Sequence, residues 1–236
     1  MSISAIITQL ADGMVKSVLI FGLTLLFSLP LGLLVSFGRM SRWAPFRRWK
    51  KTEQRLLRAV SGFRPLQLII KFFISILRGT PLMLQLMVVY YGPYYIFHVQ
   101  ISLDYQFFAV IIAFAVNYAA YFAEIYRSGI ESMPIGQYEA ARVLGYNKSQ
   151  TFFLVILPQV IKRILPSITN EVITLVKDTS LAFVIAYAEM FTVAKRIAAK
   201  EANVIPFVVA AVFYYIFNLI VAVVMEKIEK KMSYYN

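Results

Sequence analysis

Charged residues cut this chain into apolar stretches, five of which are long enough to cross a bilayer. The first, 17–38, contains no charged residue. At a helical rise of about 1.5 Å per residue, such a run covers the roughly 30 Å of a hydrocarbon core. Further spans are expected at 79–97, 105–123, 165–190 and 204–225, the fourth interrupted by Glu171, Lys177 and Asp178. Residues 65–78 are a semi-polar approach to the second span. They read either as the start of one long helix or as an amphipathic elbow. The first run exceeds the apolar core of a signal peptide and no small-residue cleavage site follows it, so it is expected to be retained. The pattern predicts an all-α integral membrane protein. With no repeating unit and no linker in view, residues 1–236 read as a single domain.

The charges between these spans are not evenly shared. Basic residues gather at 39–71, at 127–163 and at Lys227, Lys230 and Lys231. These are alternate loops, as the positive-inside bias requires. The connection 98–104 has no Lys or Arg. Five spans with this bias put the N-terminus outside and the C-terminus in the cytoplasm. Lys195, Arg196 and Lys200 run against it, and with Ala194, Ile197 and Ala198 they fit a short interfacial helix.

Composition narrows the function. Apolar residues make up 60% of the 236 and charged residues only 15%, against about 25% charged in a soluble domain. The net charge of +12 would point to nucleic acid in a soluble protein. Here no basic stretch sits on a soluble domain of its own, so nucleic acid is not an expected partner. With no cysteine and one histidine, His98, the chain offers no thiol nucleophile, no disulfide and no ordinary zinc site. It also lacks the G-x-x-x-x-G-K-[ST] phosphate loop. No cofactor is expected in this chain; if ATP drives it, another polypeptide binds the nucleotide.

The loop 135–159 reads IGQYEAARVLGYNKSQTFFLVILPQ. Glu139 to Leu144 favour helix, Gly145 suits a left-handed stop and Asn147 can cap a second helix running to Pro158. A helix–turn–helix of this kind makes a knob for a partner's groove, with Ala140 and Ala141 permitting close approach. The spacing Glu139-Ala140-Ala141, three residues, Gly145, nine residues, then Val155-x-Leu157-Pro158 resembles the EAA loop of ABC importer permeases, with Val where Ile is usual. Arg78-Gly79-Thr80-Pro81-Leu82 and Lys177-Asp178-Thr179-Ser180-Leu181 are similar to motifs of the polar-amino-acid branch, the histidine, glutamine and arginine type. Asn117-Tyr118-Ala119-Ala120 and Glu124-Ile125-Tyr126-Arg127 fit it too.

The resemblance implies a type I importer permease with five transmembrane helices and cytoplasmic coupling helices in a bacterial inner membrane. It also implies a second permease, two ATPase subunits carrying ATP and magnesium, and an extracytoplasmic amino-acid-binding protein or domain. The basic stretch 39–64 reads as a solvated anchor or as a lipid-headgroup contact. An ion channel or gated pore is the competing class, but a simple pore needs no docking knob.

Charges inside a bilayer cost at least about 2.5–3.5 kcal/mol each and mark functional candidates. Asp178 with Ser180, Arg78 with a helix start at Thr80 and Pro81, and Asn117 are the expected substrate contacts. Arg78 lines the pathway if 66–97 is one helix and snorkels if an elbow precedes it. Lys177 is expected to balance Glu171 or another acid, and Glu124 to pair with Arg127. The aromatics at Tyr90, Tyr91, Tyr94, Tyr95 and Phe97 read as an interfacial belt.

Overall fold

The computed structural model describes residues 1–232 apart from 42, 44, 46–62 and 103, and among these the only regular structure is helical. Most of the basic stretch 39–64 therefore lies outside the described residues. Helix α1 spans Ile3–Met40, far longer than the uncharged run, because Asp12 and Lys16 point outward and do not interrupt it. Its buried face carries Gly13, Ser17, Thr24, Ser28, Gly32 and Ser36, a stripe of small residues that lets another backbone approach closely. A Cβ on Gly32 would lie 2.8 Å from Cβ of Phe122. The helix that comes so close is α4, Tyr105–Glu131, which occupies the middle of the bundle. It buries Ala109, Ala113, Phe114, Ala119, Ala120 and Phe122 among others. The opposite side of α1 exposes Val15, Leu26 and Leu34, an apolar coat suited to lipid and not to water.

Helices α2 (Pro65–Gly79) and α3 (Leu82–Phe97) meet at 108°. The elbow reading of 65–78 is the correct one. Helix α5 (Ile135–Val143) and a capped turn at Lys148–Gln150 follow α4. A π-helical turn, Thr151–Ile156, then leads into α6, Leu157–Asp178. The widened turn falls just before Pro158, which brings no N–H to the ladder.

The span expected at 165–190 is three elements. The α-helix ends at Asp178, tightens to 3₁₀ over Thr179–Ile185, and turns at Ala186 with φ 58°. Helix α7 (Met190–Glu201) then begins. Hydropathy missed this because Leu181 to Ile185 stay apolar through the turn. The last helix, α8, is Ile205–Met232 and packs on α6 and α7.

Among the described residues, four helices are long and apolar enough to cross a membrane, Ile3–Met40, Tyr105–Glu131, Lys148–Ile185 and Ile205–Met232, or five if the bent pair α2–α3 is one broken span.

Candidate functional site

A helix that stops short leaves carbonyl oxygens without donors, and the α2–α3 bend does so inside the bundle. The Gln85 carboxamide fills the gap. Its Nε2 lies 2.8 Å from the Leu77 carbonyl, 3.1 Å from that of Thr80 and 2.8 Å from Thr80 Oγ1. Asn117 of α4 closes the arrangement, its Nδ2 donating to Leu77 O at 3.2 Å and to Gln85 Oε1 at 3.0 Å. Asn117 is buried at 4% exposure, so its amide holds the elbow. The expected helix start at Thr80 needs correction. Thr80 Oγ1 donates back to Ile76 O at 2.8 Å, and the residue ahead of α3 is Pro81, without a side-chain cap. The end of α2, short of donors, competes more strongly for that hydroxyl than the N-terminus of α3.

Arg78 is presented at the end of α2. Its guanidinium lies 5.2 Å from the ring centroid of Tyr121, where the aromatic face attracts a cation. Both line a cavity of about 210 Å³ that also takes in Glu171. On α6, Glu171 and Asp178 are seven residues apart, two turns, and share a face. Tyr118 of α4 donates its hydroxyl to Asp178 Oδ2 at 2.7 Å. Glu171 lies in the field of Arg78, which attracts it, and of Asp178, which repels it. Among the described residues, none of Arg78, Glu171 or Asp178 has an oppositely charged group within 4 Å. The bundle therefore brings a cation and two acids together and leaves them without direct ion pairs.

Lys177 and Ser180 stand apart. Lys177 is exposed and lines a second cavity, of about 270 Å³, with Ser180, Phe191 and Tyr214. Ser180 Oγ donates to Lys177 O at 2.8 Å. The expected balance of Lys177 by Glu171 is absent: six residues on one helix place their side chains on widely separated faces. Glu124 and Arg127 do pair, at 2.6 Å, with Arg39 at 3.6 Å from Glu124 and Glu131 also on Arg127.

The loop of 135–159 forms the expected knob. Gly145 sits at φ +80°, and Asn147 and Gln150 make a reciprocal capping box at 2.9 Å each way. Val143 and Leu144 are 88% and 73% exposed at its tip, with Glu139 and Ala140 exposed beside them. Ala141 instead faces inward at 2% exposure, about 100° around the helix from Ala140, so its small size serves packing within the chain. Leu157 is half-buried and Pro158 exposed.

Residues 56–234 match the family described as binding-protein-dependent transport system inner membrane component. The chain belongs to this family. This permease is 38% identical over 175 residues to the arginine transport system permease protein ArtQ of Bacillus subtilis, covering 74% of this chain and 78% of that one. It is 37% identical over 182 residues to the L-cystine transport system permease protein TcyB of the same organism, with 76% of each covered. Against the octopine transport system permease protein OccM of Rhizobium radiobacter the figures are 35% over 202 residues, 83% of this chain and 76% of that one. A solved structure described as an amino acid ABC transporter with histidines superposes with a TM-score of 0.78 at 28% identity, covering 95% of this chain and 94% of that one. The MetNI methionine ABC transporter, at 18% identity and a TM-score of 0.65, shares the fold.

The permease has a further polar centre that its sequence hides. Glu189 is fully buried and precedes α7, whose N–H groups at Phe191 and Thr192 it accepts at 2.7 and 2.6 Å. Thr192 Oγ1 and the Tyr214 hydroxyl of α8 donate to it at 2.8 and 3.1 Å, and Ser17 of α1 stands 3.5 Å away. Gly13 lets α1 pass so close that a Cβ there would lie 2.7 Å from Met190 Cα. The start of α7 is thus tied to α1 and α8. The one sequence signal is an acid directly before a helix, at a place where hydropathy reads a continuing span.

Proposed function

We propose that this permease forms the substrate pathway of an ATP-driven importer of polar amino acids. The observation that carries the reading is the set of opposed charges, an exposed Arg78 beside the half-buried Glu171 and Asp178, without direct ion pairs among the described residues. A zwitterion entering that space loses water from both ends, and burial of either charge unpaired costs several kcal/mol. Asp178 accepts from the ammonium in place of part of the Tyr118 contact. Arg78 takes the carboxylate, on an elbow kept in shape by Thr80, Gln85 and Asn117. Ser180 faces the neighbouring cavity with Lys177, and so acts on substrate only if the bundle rearranges.

The chain works with a second permease, identical or homologous. Two ATPase subunits bind ATP and magnesium and dock on Glu139 to Pro158, while an extracytoplasmic binding protein delivers the amino acid. The N-terminus faces outward and the C-terminus the cytoplasm.

The test is uptake in proteoliposomes containing the whole transporter, with the receptor saturating. Removing one charged partner strands the ligand's own charge. Asp178→Asn and Arg78→Gln are each expected to weaken substrate capture by about 2 kcal/mol or more, roughly thirtyfold in half-saturation. Basal ATP hydrolysis should persist in both. Unchanged half-saturation in both variants places the substrate elsewhere, and flux without ATP returns the reading to a pore.

A further inference from the structure

The end of the bundle opposite the coupling loop carries three basic side chains that the pathway does not use. Ile6 and Leu10, at the start of α1, pack with Met190, Ala194 and Ile197 of α7. The terminal amine of Met1 lies 2.5 Å from Glu201 at the end of α7. The other end of α1 reaches Met40, which shares a cavity with Ile135 and Arg142 of the coupling loop. The two surfaces are therefore separated by the 38 residues of α1, about 57 Å of helix.

Helix α7 has two unlike faces. Met190, Thr192, Ala194, Ile197 and Ala198 are buried, whereas Lys195, Arg196, Ala199 and Lys200 are exposed. No large hydrophobic residue of Met190–Glu201 is exposed. A helix lying in a lipid surface dips an apolar face into it, and α7 turns its apolar face to the protein, so its outer face meets water. Among the described residues Lys195, Arg196 and Lys200 make no ion pair within 4 Å. Lys195 sits 5.2 Å over the Phe183 ring. The acids at hand are few: Glu201 is engaged by the Met1 amine, and Asp12 stands across a groove of about 340 Å³ from Arg196 and Lys200. On the outward side the positive-inside bias disfavours such residues, so three of them on one short helix call for a partner.

We propose that Lys195, Arg196 and Lys200 on α7 form the surface on which an acidic face of the extracytoplasmic receptor docks. This rests on the importer reading and adds to it the place and the chemistry of the contact. Complementary charge steers such an encounter and fixes its orientation. The platform is stiff, because Glu189 ties the start of α7 to α1 and α8. It also abuts the 3₁₀ turn Thr179–Ile185, which continues directly from Asp178. Pressure on α7 is thereby passed to the end of α6 that carries the acid facing the pathway.

The test uses the complete transporter in nanodiscs and the amino-acid-loaded receptor of the same system. In phosphatidylcholine alone, K195E/R196E/K200E should weaken receptor binding at least about tenfold and flatten its dependence on salt. K195Q/R196Q/K200Q should fall between it and the unaltered protein, which guards against a folding defect in the reversed variant. Basal ATP hydrolysis without receptor should be unchanged in both, and reversing acids on the receptor's permease-facing surface should restore binding to K195E/R196E/K200E. Receptor binding equal to that of the unaltered transporter overturns the proposal. So does a loss seen only when phosphatidylglycerol is added, which assigns the patch to lipid headgroups. An unaltered transporter that neither binds receptor nor hydrolyses faster with it overturns the importer reading itself, a result distinct from failure of this surface alone.

Discussion

The carboxamide of Gln85 satisfies more of the α2–α3 bend than any other side chain, offering its donor end to Leu77 and Thr80 and its acceptor end to Asn117. Replacing it by Leu keeps the volume and removes every one of these bonds. The Leu77 carbonyl, half-buried, keeps only its bond from Asn117, and the exposed Thr80 carbonyl turns to water, so the loss, about 0.5–1.5 kcal/mol for a hydrogen bond, falls on the segment that aims Arg78. Gln85→Leu is therefore expected to raise the half-saturation for transport about tenfold while the maximal rate and basal ATP hydrolysis stay near normal. Kinetics in proteoliposomes separate the two; an unchanged half-saturation removes Gln85 from the positioning of Arg78. Charged residues inside spans could be picked out in the sequence because each is conspicuous against lipid-soluble neighbours, and Arg78 and Asp178 do lie on one polar cluster with Glu171. Gln85 was not legible: its partner Asn117 is 32 residues away, and a lone amide in an apolar run gives no hint that the backbone beside it breaks.

At the scale of elements, local chemistry was the best guide. The turn at Gly145 and the cap at Asn147 needed only neighbours within four residues, and both form as the sequence implies. Ends of elements set by distant contacts were not legible, as with Glu189, whose donors come from α1, α7 and α8. The coupling loop gives a clean test because a Cβ on Gly145 would meet nothing within 4 Å. Any defect then comes from the left-handed backbone alone, which costs a side-chain-bearing residue about 1–2 kcal/mol and a β-branched one more. Gly145→Val should lower substrate-stimulated ATP hydrolysis without lowering the amount in the membrane. Gly145→Asn, which tolerates this conformation, should retain most of it. Normal coupling in a well-inserted valine variant would separate the loop from the drive. At the other end, Glu189→Ala strands the donors of Phe191, Thr192 and Tyr214, and at one to three kcal/mol for each buried group it should lower thermal stability of the detergent-solubilised complex. Glu189→Gln keeps an acceptor and should lose less.

For the whole molecule, the proposed topology, with the N-terminus outside, rests on the apolar coat and the alternating basic loops. The chain has no cysteine, so single cysteines report without background. Those at Ser2 and Gln100, both exposed, should react with an impermeant thiol reagent in intact cells, and one at Gln137 should react only after permeabilisation. Labelling at Gln137 from outside would invert the arrangement. The long apolar helices were legible in outline because hydrocarbon thickness fixes their length. The 108° bend and the extension of α1 to Ile3 were not, since both depend on what packs alongside.

Closure of that bend by Asn117 also bears on how the protein is made. A ribosome delivers the chain from its N-terminus, so α2 and α3 enter the translocon before α4 exists, and the elbow waits for an amide not yet synthesised. Until α4 arrives, carbonyls of the bend lack part of their complement, and the small-residue face of α1 lies open to lipid. A nascent chain halted between His98 and Asn117 is thus an unfinished product with a polar flaw in the membrane, the kind that quality-control proteases recognise. Completion of α4 supplies the missing donor and covers the Gly32 side of α1 in one event, before the helix that carries Glu171 and Asp178 is made.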